Sequence, residues 1–470
     1  MVPGTSGLCG VDLRNAFKQS ARSVAFELLL AVESDDTYAN LHLPKLLAQA
    51  KLEERDSALA QELAFGTIRN QMLYDSIIEI CAKRLTAEIE ERSKLLVRLG
   101  AHQLLSMRIP SHAAINETVN LAKQVASQGT SGFVNGVLRR VSERSLEQWI
   151  AQLFENQPDP TERLAIEHSH PAWIVRSLQQ ALIVDGRGET LADLLLADNT
   201  PAPVNLVALP GLATEAHTQN LISGGASPIG FIISGGDPAK LPAVRDGFLR
   251  VQDQGSQLAA LALTSVSSIK VGEKWLDMCA GPGGKAALLA AIAKQSGATL
   301  ETNEISEHRA KLVSQALSKV DPSVPVFVSD GTTIGADAPQ SFDRILLDAP
   351  CTGLGSLRRR PESRWRKSAR DVSNLANLQT SLIESAFLAL KPGGVLAYVT
   401  CSPHSGETLA IVDLLERKFA NQVQLLNVTE VLKRINPGLE LNQGRKTVQL
   451  WPHINQTDAM FIALITKSVG

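Results

Sequence analysis

Apolar residues recur three and four apart along the first third of the chain. Val24, Leu28 and Leu29, then Leu59, Leu63 and Ile68, then Leu95, Leu96, Leu99 and Leu104 each mark one face of a helix. Pro44, Pro110 and the polar run Ser127–Gly132 interrupt them, and nothing alternates as a strand would. Residues 20–142 are therefore predicted to form an all-α bundle. Over 143–250 the pattern breaks into short helices and strand-like pieces (Val204–Leu209, Gly230–Ile233) among frequent Pro and Gly, which predicts a small connecting α+β subdomain. From Val251 strands alternate with helices. The strands are predicted at Lys274–Asp277, Ala298–Asn303, Val324–Val328, Phe342–Leu347 and Gly394–Thr400, the helices over 285–295, 306–319 and 371–390. Two last strand-like runs, Thr447–Trp451 and Ala459–Ile465, have no helix between them and are expected to pair antiparallel. Residues 251–470 thus read as an α/β domain with a doubly wound sheet and its ligand at the strands' C-terminal edge.

Composition narrows the class without naming a function. Of 470 residues, 44% are hydrophobic and 20% charged, with a net charge of −2, so nucleic-acid binding would need a local basic patch. The five cysteines (Cys9, Cys81, Cys279, Cys351, Cys401) are odd in number and form no Cys-x-x-Cys pair, which speaks against a disulfide framework or zinc site and for a reducing compartment. No apolar run reaches membrane-spanning length, and Met1–Gly10 lacks the basic and apolar regions of a signal peptide. The expectation is a cytoplasmic monomer. His102, His112, His168 and His170 have no acid or cysteine at ligand spacing, so no metal is expected.

The candidate chemistry gathers at the predicted strand ends. After Asp277 the chain runs Cys279, Ala280, Gly281, Pro282, Gly283, Gly284, Lys285 into a helix, a loop able to bring backbone N–H groups against a nucleotide cofactor. Read literally, Gly281-x-Gly283-x-x-Ala286 also fits the dinucleotide fingerprint, which keeps an NAD-dependent oxidoreductase open. Asp277, Glu304, Asp330 and Asp348 follow four successive strands. Such acids serve a cofactor or simply cap the next helix; Glu304 is best placed for a ribose. Cys351 and Cys401 end consecutive strands, one of them beside Asp348. Methylating cytosine at C5 requires a thiolate to add at C6, and two such cysteines suit that chemistry. Between them Leu357–Arg370 carries seven basic residues against one acid, with Trp365 inside. Arg358, Arg359, Arg360, Arg364, Arg366 and Lys367 are the candidate phosphate contacts. The arginines of the first third (Arg69, Arg84, Arg92, Arg98, Arg108, Arg139, Arg140) read more readily as helix surface than as an RNA face.

Several phrases carry a resemblance. Tyr38-Ala-Asn-Leu, Glu62-Leu-Ala-Phe-Gly-Thr-Ile-Arg69, Leu99-Gly-Ala-His-Gln-Leu-Leu105 and Gly132-Phe-Val-Asn-Gly-Val-Leu-Arg-Arg140 resemble the NusB-like RNA-binding domain that precedes the catalytic core of the Sun/RsmB family of rRNA cytosine methyltransferases. The loop Cys279–Lys285, Asp348-Ala-Pro-Cys-Thr-Gly-Leu-Gly-Ser356, Arg359-Arg-Pro-Glu362 and Thr400-Cys-Ser402 are similar to that family's core motifs. The resemblance implies a Rossmann-like class I methyltransferase core, S-adenosylmethionine bound by residues 279–285 with Glu304, Asp330 and Asp348, and RNA (16S rRNA or a small-subunit precursor) as partner. It further implies Cys401 as nucleophile, Cys351 in product release and Asp348 on the base edge. Spacing alone does not choose between the cysteines, since DNA cytosine methyltransferases place the nucleophile in the Pro-Cys motif. Two departures stand out. Thr352 replaces the usual Ser, and Pro403-His-Ser-Gly-Glu407 stands where many relatives have Pro-Glu-Glu-Asn. The remaining rivals are the NAD enzyme, which leaves both cysteines unexplained, and a non-catalytic RNA-binding or ribosome assembly factor.

Overall fold

The computed structural model describes residues 19–35, 37–155 and 157–469; Cys9 and the Met1–Gly10 segment lie outside them. The chain divides into two compact units, one running to Ala172 and including Arg360–Glu362, the other Trp173–Arg359 with Ser363–Gly470.

The first unit is helical, as its periodicity predicts. Helices Ala21–Ser34, Ala39–Ala50, Glu54–Arg69, Gln71–Ala82, Glu91–Leu105, Ser111–Val125 and Gln128–Val141 follow one another. Ser20 caps the first, accepting from the Ser23 N–H while the Ser23 hydroxyl takes the Ser20 N–H in return. The periodic Leu28, Leu63, Leu96 and Leu99 are fully buried and form the core. Two of the candidate surface arginines turn inward. Arg98 makes a bidentate pair with Asp75 (2.7 Å on both arms), and Arg69 is buried. His102 is structural, its Nδ1 2.9 Å from the Tyr74 hydroxyl. Within this unit the Ala39 N–H donates to Glu362 (3.2 Å) and Arg360 lies over the Tyr38 ring.

The second unit opens with helices Ala172–Val184 and Leu191–Asn199, where sequence predicts only short pieces. A small antiparallel sheet follows: β1 Asn205–Ala208, β2 Ile222–Ser223, β3 Gly230–Ile232 and β4 Leu249–Val251, in the order β2-β3-β1-β4. Gln254, at the start of helix Gln254–Ser265, holds it together. Its side chain accepts from the Ala226 and Ser227 N–H groups and donates to Asn205 and to the Gly224 carbonyl.

The large sheet contains β5 Lys274–Asp277, β6 Thr299–Asn303, β7 Val326–Phe327, β8 Phe342–Asp348, β9 Leu390–Thr400, β10 Val423–Leu426, β11 Val448–Gln449 and β12 Phe461–Lys467. Its order is β10-β12-β9-β8-β5-β6-β7, with β11 beside β12. Strands β7, β6, β5, β8 and β9 are parallel, whereas β12 runs antiparallel to β9, β10 and β11. This is the predicted doubly wound sheet with antiparallel C-terminal strands. Strand β10 was not anticipated: it is short and only partly buried, so its sequence lacks a clean alternation. Strand β9 begins earlier than predicted because Pro392-Gly393-Gly394, a turn signal in sequence, is absorbed into it. The chain leaves β5 toward β6 on one side and returns to β8 on the other, so the order reverses at β5. Crevices at such reversals are where α/β sheets bind ligands.

Candidate active site

Strand β5 ends in Asp277 and the following loop turns into helix Gly284–Ser296. Gly283, at the helix N-cap, has φ +104°, and a Cβ there would meet Ala316 Cβ at 2.6 Å. A Cβ on Gly281 would collide with the Glu304 carboxylate and the Arg309 guanidinium. Beside Gly284 there is open space. The Ala280 N–H donates to the Asn303 carbonyl (2.9 Å), and the Asn303 amide donates to the Met278 and Ser329 carbonyls, tying three strand ends together. Asn303 is not among the residues that the strand-end acids and cysteines single out, although a polar residue closing a strand is itself a signal. Glu304 is buried, accepts from the Gly281 and Ser306 N–H groups (3.1 and 3.0 Å) and pairs with Arg309 at 3.2 Å. Asp330 behaves differently. It is exposed and accepts from the Thr332 N–H and hydroxyl as the cap of the turn Gly331–Thr333, bonds that hold its carboxyl below the usual range.

The acids around the loop outnumber the bases that pair with them, and one is kept from ionising. Asp277 is fully buried and no side chain hydrogen-bonds its carboxylate; the Cys279 N–H is directed at it but falls short of good hydrogen-bond geometry. Burial, reinforced by the Asp348 and Glu304 charges, pushes its pKa up to about 8, while Lys285 and the Cys279 N–H pull the other way. Burial would depress the Lys285 ammonium, but Asp348, with its oxygen 2.7 Å from Nζ, holds it above its ordinary value. The Cys279 thiol is driven up by burial and by the carboxylates of Asp277, Asp348 and Glu304, so this cysteine stays a neutral thiol.

At the ends of β8 and β9 the Cys351 and Cys401 sulfurs stand 3.4 Å apart. They titrate in opposite directions. The hydrogen bond from Cys351 lowers the Cys401 pKa, against burial and the Asp348 charge, and Lys285 adds to the lowering. Cys351 is raised by that same bond, by burial and by the charges of Cys401 and Glu407. The contact therefore favours the thiolate form at Cys401 over that at Cys351. Gly355 makes the approach possible: its N–H donates to the Cys401 carbonyl (2.8 Å), its carbonyl accepts from the Ala459 N–H, and a Cβ would strike both chains.

The divergent segment after Cys401 contributes Glu407, which sequence reading left unassigned. Its buried carboxylate accepts from the Thr352 N–H (2.8 Å), the Thr352 hydroxyl (2.5 Å), the Ser402 hydroxyl (2.6 Å) and Gln379 (3.3 Å).

The basic run is not the uniform phosphate face that its composition predicts. Arg358 and Arg359 are locked onto Asp458 and Asp253: Arg358 reaches them at 2.9 and 3.2 Å, Arg359 at 2.9 and 2.7 Å. Arg364 is fully buried and donates to the Asn199 side chain (2.9 Å). These three are corrected from candidate phosphate contacts to internal ties. The run is long enough to contribute to the core, and buried carboxylates elsewhere in the unit receive it. Arg360 is exposed, and Arg366 and Lys367 are partly so. Among the described residues no group of three or more His, Cys, Asp or Glu could hold a metal ion, and no helix is long and apolar enough to cross a membrane. His170 Nδ1 sits 2.7 Å from the His168 carbonyl, so the His-Ser-His segment closes on itself.

A family model described as 16S rRNA methyltransferase RsmB/F matches residues 265–466, and a NusB family model matches residues 19–143. Rv1407 of Mycobacterium tuberculosis is 43% identical over 452 residues, 95% of this chain and 96% of its own length. Ribosomal RNA small subunit methyltransferase B of an Enterobacter species is 32% identical over 396 residues, 82% of this chain and 87% of its own. The crystal structure of PH0851 matches 96% of this chain and 99% of its own with a TM-score of 0.77 at 19% identity. That of NSun6 from Pyrococcus horikoshii with SFG matches 63% of this chain and 98% of its own, with a TM-score of 0.52 at 17% identity. At these identities the two structures speak for the fold alone.

Proposed function

Because the chain belongs to the RsmB/F family of 16S rRNA methyltransferases, we propose that it transfers a methyl group from S-adenosylmethionine to C5 of a cytosine in small-subunit rRNA, through a covalent adduct between Cys401 and C6. Its large sheet is a class I methyltransferase core preceded by a NusB-type helical region. The observation that carries the cytosine-C5 reading is the Cys351–Cys401 pair, 3.4 Å apart and shifted in opposite directions, near the Lys285–Asp348 ion pair.

The residues present fit the cofactor. The buried Asp277 carboxyl has no ion pair of its own and suits a cationic ligand, the open space beside Gly284 lets a ligand approach the backbone, and Glu304, just after β6, would take the ribose hydroxyls. Lys285 would keep the site's charge matched through Asp348, while Cys279 and Ala280 contribute backbone only. Asp330, exposed and engaged as a cap, retains one carboxylate oxygen for an adenine or ribose contact. When bound, S-adenosylmethionine supplies an electrophilic sulfonium methyl group.

On the protein side, the Cys401 thiolate forms an Sγ–C6 bond, and the C5=C6 π electrons move to make C5 nucleophilic. Asp348, steadied by Lys285, holds the base edge by accepting from the N4 amino group. After methylation a base removes the C5 proton and the Sγ–C6 bond breaks, returning the electron pair to sulfur. Cys351, kept neutral, assists this release. Within the proposed division of labour, residues 20–142 bind RNA, 143–250 connect, and 251–470 catalyse; Arg360, Arg366 and Lys367 serve the RNA backbone. The setting is the cytoplasm, where small-subunit precursors are assembled. Bisulfite sequencing of rRNA from cells with and without the protein should reveal one small-subunit cytosine whose methylation disappears. An unchanged methylation map overturns the reading.

A further inference from the structure

The cysteine pair depends on two separate loops, one after β8 and one after β9, meeting at a fixed separation. Little in the thiols themselves enforces this, since the sulfur–sulfur contact is weak. The enforcement lies one residue further along each loop. Thr352 follows Cys351, Ser402 follows Cys401, and their hydroxyls are 3.2 Å apart. Both donate to the same oxygen of Glu407, and the Thr352 N–H donates to the other. Gln379 bridges further, donating to Glu407 (3.3 Å) and to the Pro350 carbonyl (2.8 Å) just ahead of Cys351. The Tyr398 hydroxyl, from within β9, donates to the Glu407 carbonyl at 2.7 Å.

We infer that Glu407 is the positioning residue of the active site: its buried carboxylate clamps the Cys351 and Cys401 loops together and thereby holds the two sulfurs at the 3.4 Å separation on which nucleophilic attack depends. The role in methylation rests on the proposed function; the clamp itself does not. A carboxylate is needed rather than a neutral group because one oxygen receives two hydroxyl donors and the other receives an N–H. An amide has one oxygen, so its NH2 group must face either the two hydroxyls or the Thr352 N–H and the Gln379 amide, all arranged to donate. Glu407 hydrogen-bonds neither sulfur; its hold on the two loops runs through Thr352, Ser402 and Gln379, and its charge acts directly on Cys351 besides.

The clamp is tested on full-length Glu407→Gln, with Thr352→Val as a milder variant that removes one hydroxyl arm. Iodoacetamide alkylation of Cys401, followed by mass spectrometry across pH, reads the thiolate without RNA or cofactor. The expected result is an alkylation midpoint displaced to higher pH in both variants, more in Glu407→Gln, with S-adenosylmethionine binding retained. Methylation kcat should fall about 100-fold while KM for RNA stays unchanged, the signature of misplaced reacting groups. Folded Glu407→Gln and Thr352→Val proteins whose Cys401 midpoint matches wild type overturn the inference. A shifted midpoint in a protein that never methylates cytosine would sustain the clamp and reject the proposed function instead.

Discussion

Two clusters of charge lie along the same unit, and they are built on opposite principles. Around Arg358 and Arg359 every charge meets an opposite one: two guanidinium groups share the Asp253 and Asp458 carboxylates with contacts of 2.7–3.2 Å. Around Lys285 the count fails. One ammonium pairs with Asp348, and Asp277 is left buried with no ion pair of its own, Lys285 and the Cys279 N–H offsetting only part of its burial and Glu304 raising it further. A matched buried cluster fixes structure, because removing either partner strands the other. An unmatched one holds free energy in reserve for a ligand or a reaction. In sequence the two look alike, and the basic run looks the more functional. Partners, not charge density, separate scaffold from chemistry.

The largest effect expected from this contrast falls at the unmatched site. Cys401→Ala should reduce methylation by about 10⁴-fold or more, the scale seen when a covalent nucleophile is removed. Cys351→Ala should instead accumulate a protein–RNA adduct that survives denaturation. Adduct on Cys351 in the Cys401→Ala protein, read on a denaturing gel, would reverse the two roles.

Next comes the matched cluster. Arg358→Ala strands Asp253 and Asp458 with one guanidinium fewer, and should cost about 3–5 kcal/mol in a denaturation experiment while the folded fraction keeps its kcat. Lys285→Met should do the converse. Its loss removes a charge that favours the Cys401 thiolate, so kcat falls about 100-fold at neutral pH and recovers partly as pH rises, while the stability cost stays below that of Arg358→Ala because the stranded Asp348 is partly exposed. If Arg358→Ala proves the catalytic defect and Lys285→Met the folding defect, the contrast collapses.

How far the sequence carried the site follows from the range of each interaction. Helix faces and parallel strands were legible because their periodicity is local: Leu28, Leu63, Leu96 and Leu99 reappear as core, and the strand-end acids and cysteines reach one edge. The basic run misled because Asp458 and Asp253 lie 100 and 105 residues from Arg358. Glu407 was equally unreadable as a clamp, being 55 residues from Thr352 and embedded in a segment that departs from its relatives. Asp330 illustrates the opposite case, a strand-end acid whose present bonds are those of a helix cap, as local sequence also allowed. The glycine loop, which fits an NAD fingerprint on paper, gains its meaning from the cysteines that the sheet brings to its side.

The mildest expected effect probes the vacancy in the charge count directly. With a pKa of about 8, Asp277 is mostly protonated in the free protein at neutral pH. If a cationic cofactor meets this carboxylate, the bound state favours the anion, so binding must expel a proton. Free protein then competes for that proton below pH 8, and affinity should rise with pH, by at most about tenfold per unit, levelling off above pH 8. Calorimetry of S-adenosylmethionine binding in buffers of different ionisation enthalpy reads the released proton. Asp277→Asn should weaken binding and abolish the release. The same substitution has a sign that the unliganded protein can check. A carboxyl whose folded pKa is raised costs nothing at low pH and costs stability as pH climbs from about 4 to about 8. The melting temperature should therefore decline over that window in wild type and decline less in Asp277→Asn. A flat profile in both, with no proton released on binding, would mean that Asp277 already has the partner that the geometry denies it, and that the two clusters differ less than their hydrogen bonds imply.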